Sequence, residues 1–362
     1  MAMLQVHPDE VEKIQPVRKH PHWKAVIKTV IPEDKEKAEM RELNNEVDIR
    51  VYSDGSGHEG GVGAAVVLYR GFRLMKMLQH YLGSLDEHTV YEGECMGMLL
   101  GLGLIQREMG WVTEATMGVD NQVAITSMRS EKPAPGSYII DRIHASYQRV
   151  KEQHRHLEFT VGWVPGHRGI LCNERADEEA KKAAEGAHNN TTNRIPFLEK
   201  GLLKSKAALH QAYREGIKQQ VFDKFTQSPR YQQETCIDRT MPSASFHKLA
   251  AKLLRCHTSL LIQLRTCHVT LKHYLYQFKH TESPLCDACK QANETIEHYL
   301  QECPVYEEQR SKLRRATHQE MESIAKVLSD PKMLPLLFKY ITSMQRFAEQ
   351  YGNLAYTNQE DA

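Results

Sequence analysis

Four acidic residues in the first half of the sequence have the types and positions that could hold divalent cations. Asp54 follows the alternating run VDIRVYS and Asp120 ends ATMGVD, and such runs are typical of strands. Glu94 and Asp177 lie in stretches with helical spacing, EGECMGMLLGLGLIQRE and NERADEEAKKAAEG. Four carboxylates at one point would repel one another, and two divalent cations with oxygen ligands would offset that repulsion. Such a pair of ions, about 4 Å apart, can activate a water and stabilise the leaving oxygen of a phosphodiester.

Each of these acids also has an interpretation without chemistry. Asp-Gly-Ser is most often a turn, and Gly55 and Gly57 would let the chain turn sharply directly after Asp54. Asp120 could cap the helix that follows it, and Asp177, which lies among other acids, could only favour a helix N-terminus. Finding all four at strand ends or in helices favours the metal-site interpretation.

The elements that would position these acids alternate between strand and helix up to about residue 185. GVGAAVVLY and FRLMKMLQHYL flank Arg70-Gly71 like the arms of a hairpin, and LEFTVGWV reads as a further strand. SYIIDRIHASYQRVKEQ has the spacing of an amphipathic helix, and the helix NERADEEAKKAAEG closes on a glycine. The order predicts an α/β fold, a mixed five-stranded sheet with helices packed on it, followed by a mostly helical tail with a small zinc module.

The composition is that of an ordinary globular protein. Of the 362 residues, 41% are hydrophobic, and no run reaches the eighteen or more apolar residues that a membrane span needs. We therefore expect no membrane partner and an intracellular location, in the nucleus or the cytoplasm. Eight cysteines in a chain of this length favour metal binding over a disulfide framework.

Positive charge is concentrated in one segment of the chain. The formal net charge is +1, yet residues 190–281 carry 15 Lys and Arg against 5 Asp and Glu, a net charge of +10. This excess could bind phosphate or could be only a solvated helical surface, and the sequence leaves both interpretations open.

A second candidate metal site lies in SPLCDACKQANETIEHYLQECPVYEEQR. Cys286 and Cys289 form a C-x₂-C pair, and His298 and Cys303 follow at short intervals. Three thiolates and an imidazole suit tetrahedral Zn²⁺. The alternative is four buried or exposed residues without a metal. Other cysteines and histidines between residues 256 and 273 alternate with leucines and are expected to pack in helices.

The first half of the chain resembles type 1 ribonuclease H, the nuclease that cuts RNA paired with DNA. The resemblance covers residues 46–186 and is carried by SDGSG, YEGE, VDNQ and WVPGHRGILCNERADEEAKKAA, which occur in the family's order. It implies two Mg²⁺ or Mn²⁺ ions, RNA/DNA hybrid as the substrate and cleavage that leaves 5′-phosphomonoesters. The catalytic and metal-binding residues that it implies are Asp54, Glu94, Asp120 and Asp177, assisted by His167 in a loop.

The same resemblance implies which glutamate binds metal and which backbone groups contact the substrate. Glu94 matches the family's helix glutamate better than Glu92 does, because an apolar helix start follows it, and residues two apart on a helix point about 200° apart. Backbone groups near Gly55 and Ser56 are expected to contact the hybrid, whose RNA strand is read through its 2′-hydroxyls.

The tail has a resemblance of its own. LIQLRTCHVTLKHYLYQFKHTESPLCDACKQANETIEHYLQECP is similar to the segment that follows the ribonuclease H domain in fungal non-LTR retrotransposon polyproteins. This implies a retrotransposon-derived nuclease. The alternative function is a catalytically idle nucleic-acid-binding protein that uses the basic segment and the zinc module. The predicted parts are a linker remnant (1–45), a ribonuclease H domain (46–186), a basic helical segment (187–281), a CCHC zinc-knuckle-like module (282–310) and C-terminal helices (311–362).

Overall fold

In the computed structural model, the chain divides into two units, residues 1–217 and 218–362. It describes the whole chain except residues 1–5, 109–111, 192–197, 199–200, 239, 244, 317–322 and 355–362. The ends of the predicted linker and of the predicted C-terminal helices therefore lie outside the described residues.

A six-stranded sheet forms the centre of the first unit. Its strands in chain order are β1 (Lys28–Val30), β2 (Ile49–His58), β3 (Gly61–Arg70), β4 (Arg73–Ser84), β5 (Glu114–Val119) and β6 (Glu158–Trp163). They lie in the order β1-β6-β5-β2-β3-β4, with the β2–β3–β4 pairs antiparallel and the β2–β5, β5–β6 and β6–β1 pairs parallel. The predicted mixed α/β sheet is confirmed.

The sheet holds one strand more than the five expected. The additional strand, β1, pairs parallel with β6 in the register Lys28 opposite Thr160, and it belongs to the segment interpreted as a linker. A three-residue edge strand has too few positions to show an alternating pattern, so only its pairing reveals it.

The prediction of a sharp turn at Gly55 and Gly57 is wrong. Strand β2 continues through both glycines to His58, and the chain turns at Glu59 and Gly60, both of which have positive φ. Asp54 therefore lies within a paired strand, opposite Ala65 of β3.

Helices cover both faces of the sheet. They are α1 (Lys35–Leu43), α2 (Val90–Gln106), α3 (Gln122–Ser127), α4 (Ser137–Gln153) and α5 (Leu171–Ala184). Helix α2 is apolar almost throughout and packs on β2, β3 and α4, with Met96, Leu100 and Ile105 among its fully buried residues. Each buried side chain of this size contributes about 1.5–3 kcal/mol to the free energy of unfolding. Helix α2 is thus a rigid support for any side chain that it carries.

The N-terminal segment is bound to this unit by polar contacts. The carboxylate of Glu12 accepts hydrogen bonds from the backbone N–H of Gly136 at 2.7 Å and of Lys206 at 2.9 Å. Arg18 forms an ion pair with Asp141 at 3.0 Å. The Lys206 contact satisfies one of the free N–H groups at the start of the next helix, α6 (Lys206–Thr226).

The second unit is helical and has its own core. After α6, which continues into it, its helices are α7 (Tyr231–Ile237), α8 (Ser245–Ala250), α9 (Arg255–Arg265), α10 (Lys272–Gln277), α11 (Glu307–Ala316), α12 (Ile324–Ser329), α13 (Leu334–Met344) and α14 (Ala348–Tyr351). Leu260, Leu264, Tyr299, Phe338 and Ile341 are central to the core. Among the residues that the structure describes, no helix has the length and apolar character that crossing a bilayer requires.

Candidate active site

Three of the four predicted carboxylates meet at one point of the first unit. Oxygen atoms of Asp54, Glu94 and Asp120 all lie within 4.8 Å of one another. The sheet register explains the first pair, because Ser53 of β2 lies beside Val119, the last residue of the parallel strand β5. The residues that follow these two are Asp54 and Asp120, which are therefore brought together.

A glycine brings the third carboxylate to the same point. An added Cβ on Gly55 would lie 2.1 Å from the backbone nitrogen of Glu94, so the backbones of β2 and α2 approach more closely than any side chain would permit. This close approach places Glu94 beside Asp54. The glycine is therefore required for packing within a strand rather than for a turn.

The two glutamates of α2 have different positions. Glu92 closes a capping box with Thr89: the backbone N–H of Thr89 donates to Oε2 of Glu92 at 2.8 Å, and the backbone N–H of Glu92 donates to Oγ1 of Thr89 at 3.2 Å. Glu92 is fully buried there, and Glu94 is the glutamate that joins the two aspartates.

Asp177 lies near these acids but outside the group within 4.8 Å. It is half-buried on α5, and its Oδ2 atom accepts a hydrogen bond from Nζ of Lys181 at 2.6 Å, one helical turn further on. Its negative charge nevertheless helps to raise the pKa values of Asp54 and Asp120. We call the four residues Asp54, Glu94, Asp120 and Asp177 the acid cluster.

The acid cluster is a site of strong negative potential. Burial, followed by the charges of Asp120 and Asp177, raises the pKa of Asp54 to about 7. Burial and the charges of Asp54 and Asp120 raise the pKa of Glu94 to about 10. Burial and Asp177 also raise the pKa of Asp120. Cations between these oxygens would reverse the effect by stabilising the ionised carboxylates.

The residues present fit divalent cations. Oε2 of Glu94 is buried and has no hydrogen-bond partner among the described residues. A buried carboxylate oxygen without a partner is costly, and coordination to a cation is one of the few ways to satisfy it. Hard oxygen ligands from three or four carboxylates are what Mg²⁺ and Mn²⁺ prefer.

Two residues that the sequence interpretation did not single out hold the acid cluster in place. Asn121 caps α3 by accepting from the backbone N–H of Ala124 at 3.1 Å, and its amide nitrogen lies 3.5 Å from Oε1 of Glu94. The indole N–H of Trp163 donates to the backbone oxygen of Asp120 at 2.9 Å. Asn121, rather than Asp120, is thus the N-cap of α3. The sequence signal that could have identified this cap is an asparagine directly before a predicted helix.

The loop that carries His167 reaches the acid cluster. His167 is exposed, with φ of +56°, and an added Cβ on the preceding Gly166 would lie 3.1 Å from Oδ2 of Asp120. A positive charge on His167 would favour the ionised form of Asp120. Gly55 packs against α2 as described, and Ser56 follows it in β2, half-buried.

The four predicted zinc ligands of the second unit also converge. Sγ of Cys286 lies 3.9 Å from Sγ of Cys303, Sγ of Cys289 lies 3.3 Å from Nε2 of His298, and all four atoms lie within 4.8 Å of one another. Ligands at zinc bond lengths of about 2.0–2.3 Å are roughly 3.3–3.8 Å apart in a tetrahedron. This group and the group of Asp54, Glu94 and Asp120 are the two that meet this distance limit in the described part of the chain.

The loop that contains Cys286 and Cys289 favours the thiolate form of Cys289. A bridge between Leu285 and Asn293 closes it, and Lys290 adopts a positive φ of 56°. This turn directs the backbone N–H of Gln291 to Sγ of Cys289 at 3.5 Å. That hydrogen bond is the main cause of a pKa of Cys289 lowered to about 6, whereas burial raises the pKa of Cys286 to about 11. A bound cation would also ionise the buried thiol, so the residues present fit Zn²⁺.

A family model described as RNase H matches residues 46–185 of this chain. Three similar solved structures cover 38% of this chain. The first is the N-terminal RNase H domain of a Mycobacterium tuberculosis protein fused to maltose-binding protein, with 20% identity, 99% of that chain covered and a TM-score of 0.31. The second is RNase H1 of the archaeon Halobacterium salinarum, with 17% identity, 97% of that chain covered and a TM-score of 0.28. The third is LC11-RNase H1 in complex with an RNA/DNA hybrid, with 19% identity, 96% of that chain covered and a TM-score of 0.29. None of the curated proteins matches the sequence closely enough to count as a relative.

Proposed function

We propose that the RNase H domain, residues 46–185, hydrolyses the RNA strand of RNA/DNA hybrids. The convergence of Asp54, Glu94 and Asp120 where β5 ends, with Asp177 beside them, is the observation that carries the proposal. The match of the same residues to the RNase H family model supports it independently of the geometry.

The acid cluster would hold two divalent cations, Mg²⁺ or Mn²⁺. Bound there, the ions would lower the pKa of an attacking water and neutralise charge on the leaving oxygen. Each predicted ligand comes from a different element: β2, α2, the end of β5 and α5. The relative positions of Asp54, Glu94 and Asp120 are therefore fixed by the sheet register and by the close packing of α2 on Gly55.

The neighbouring residues of the chain prepare this site. Asn121 orients Glu94, and the hydrogen bond from Trp163 holds the backbone of Asp120 directly after the strand. Such supporting contacts keep ligands close to the productive geometry before the substrate arrives. His167, which is exposed in its loop, is positioned to move a proton at the reacting phosphate or to assist departure of the product.

Recognition of the hybrid is proposed to rest on its backbone. The backbone groups of Gly55 and Ser56 would contact the RNA strand, whose 2′-hydroxyls in the shallow minor groove distinguish it from DNA. Cleavage would leave 5′-phosphate and 3′-hydroxyl ends.

The experiment that tests this function compares four labelled substrates in Mg²⁺ and in Mn²⁺: an RNA/DNA hybrid, single-stranded RNA, duplex RNA and duplex DNA. The proposal expects the RNA of the hybrid to be cut and the other three to remain intact. A folded protein that leaves the hybrid intact in both ions would overturn it. The alternative, a nucleic-acid-binding protein with an idle nuclease domain, would then remain.

We further propose that Cys286, Cys289, His298 and Cys303 bind one structural Zn²⁺. All four positions are taken by protein ligands, which is the arrangement of closed structural sites rather than of catalytic ones. A retrotransposon origin is proposed on the similarity of the tail sequence alone.

A further inference from the structure

A cavity in the second unit lies outside both candidate metal sites. It has a volume of about 610 Å³ and opens between the α9–α10 region and residues 294–297. Its wall includes His268, Tyr274, Gln277, Phe278 and Thr295. This volume is within the range of about 300–1,000 Å³ that is usual for ligand sites. The aromatic side chains in its wall indicate which kind of ligand it would take.

Three rings follow one another along this wall. The ring of His268 lies 5.4 Å from that of Tyr274 at 67°, and the ring of Tyr274 lies 5.0 Å from that of Phe278 at 56°. Phe278, the residue directly after α10, is 56% exposed. Exposed aromatic rings in a cavity are costly in water unless a partner covers them, and flat π-systems are suitable partners.

The segment that carries the three rings is basic, although among the described residues no Lys or Arg lines the cavity itself. Residues 245–281, which supply most of the aromatic wall, contain six Lys and Arg, five His and no Asp or Glu. On the opposite wall, the carboxylate of Glu294 is neutralised by Arg346, whose two nitrogens lie 2.7 and 2.8 Å from its oxygens. Glu297 also lines that wall. Lys279 is exposed and directly follows Phe278, so a phosphate beside that ring would be drawn to it.

Aromatic rings beside basic residues match the chemistry of single-stranded nucleic acid. Unpaired bases can stack on the rings while the phosphates contact Lys and Arg, whereas the bases of a duplex are already stacked on each other. We propose that this cavity binds single-stranded RNA or DNA, with bases stacked on Tyr274 and Phe278 and the backbone beside Lys279. The site is separate from the acid cluster and does not depend on the nuclease activity.

The test measures the fluorescence anisotropy of labelled oligouridine and oligothymidine on the full chain carrying Asp120→Asn, without added Mg²⁺. Removing one stacking ring by Phe278→Ala is expected to weaken binding about tenfold. Phe278→Trp keeps a stacking surface and should bind within about twofold of the parent, with its indole fluorescence quenched by the oligonucleotide. Phe72→Ala is the matched control, because Phe72 is 98% exposed in the other unit.

The two oligonucleotides decide between RNA and DNA as the bound strand, and binding should weaken steeply with salt. Lack of binding by the parent at low salt would overturn the proposal. Equal affinities of the Phe278→Ala and Phe72→Ala proteins would do so as well, because the cavity would then have no part in binding. Both variants made in the unsubstituted chain should cut the hybrid at the parent rate, so a failure of this proposal is distinct from a failure of the proposed nuclease.

Discussion

Nζ of Lys181 lies 2.6 Å from Oδ2 of Asp177, one turn earlier on the same helix. This ion pair gives Asp177 a positive partner, while Asp54, Glu94 and Asp120 have their oxygens directed at one another. The pair also raises the pKa of Lys181, through its hydrogen bond to Asp177.

Lys181 and a divalent cation therefore compete for the same carboxylate. Lys181→Met should increase the affinity of the acid cluster for Mn²⁺ by about two- to fivefold, because the competing ion pair is partly exposed. Calorimetric titration of the protein with Mn²⁺ measures this directly. Lys182→Met is the matched control, since Lys182 pairs with Glu179 instead. An unchanged or lower Mn²⁺ affinity in the Lys181 variant would refute the competition.

Gly55 should be irreplaceable. A methyl group at this position would lie 2.1 Å from the backbone nitrogen of Glu94, so Gly55→Ala must displace α2 from β2. We expect the free energy of unfolding to fall by about 3 kcal/mol or more, and hybrid cleavage to be lost because Glu94 moves with the helix. Urea denaturation and a cleavage assay provide the two measurements.

Gly103→Ala is the control for that substitution. Gly103 lies on the same helix, and an added Cβ there would meet nothing within 4 Å. The change should be neutral or should stabilise the protein by up to about 1 kcal/mol, because alanine has the higher helix propensity. If both variants lost the same stability, the close approach of α2 and β2 would not be the cause.

The stability of the first unit should depend on the protonation of His80. Burial, together with the nearby His88, lowers the pKa of His80 to about 4. In the unfolded chain the pKa of His80 returns to about 6.5. Between pH 6.5 and pH 4 the unfolded state therefore binds more protons than the folded state, and the free energy of unfolding falls as the pH is lowered. This contribution is fully present above about pH 6.5 and is lost as the pH falls towards 4.

Urea denaturation at about pH 7.5 and pH 5 measures this dependence. His80→Gln should reduce the difference between the two free energies of unfolding, because glutamine does not titrate. A pH dependence identical to that of the parent would show that His80 titrates normally in the folded protein.

Removal of zinc ligands should unfold the module around Cys286. The double variant Cys286→Ser, Cys289→Ser is expected to lose the bound zinc and to melt at a lower temperature, because zinc binding contributes directly to folding. Metal analysis of the purified parent should find about one zinc per chain. Cys236→Ser, which changes an exposed cysteine of α7, should retain the metal. A folded parent without zinc would rule the site out.

The sequence alone predicted the mixed sheet, because β2, β3 and β5 are long enough to show strand patterns and α2 is apolar over several turns. It did not predict β1, whose existence depends on pairing with a distant strand. The roles of Glu12 and Trp163 also depend on contacts between residues far apart in the chain, which local patterns do not encode. Gly55 was noticed, but its role as the contact with α2 required the packed structure.

The most direct test of the account compares the rates at which the parent, Asp120→Asn and Asp86→Asn proteins cut the RNA strand of a labelled hybrid in Mg²⁺. Asp86 is an exposed acid of the same unit, outside the acid cluster. The account predicts that Asp120→Asn reduces the rate by at least about a hundredfold, through loss of a metal ligand, while Asp86→Asn cuts at the parent rate. Cleavage by Asp120→Asn at the parent rate would contradict it, because the hydrolysis would then take place without the acid cluster.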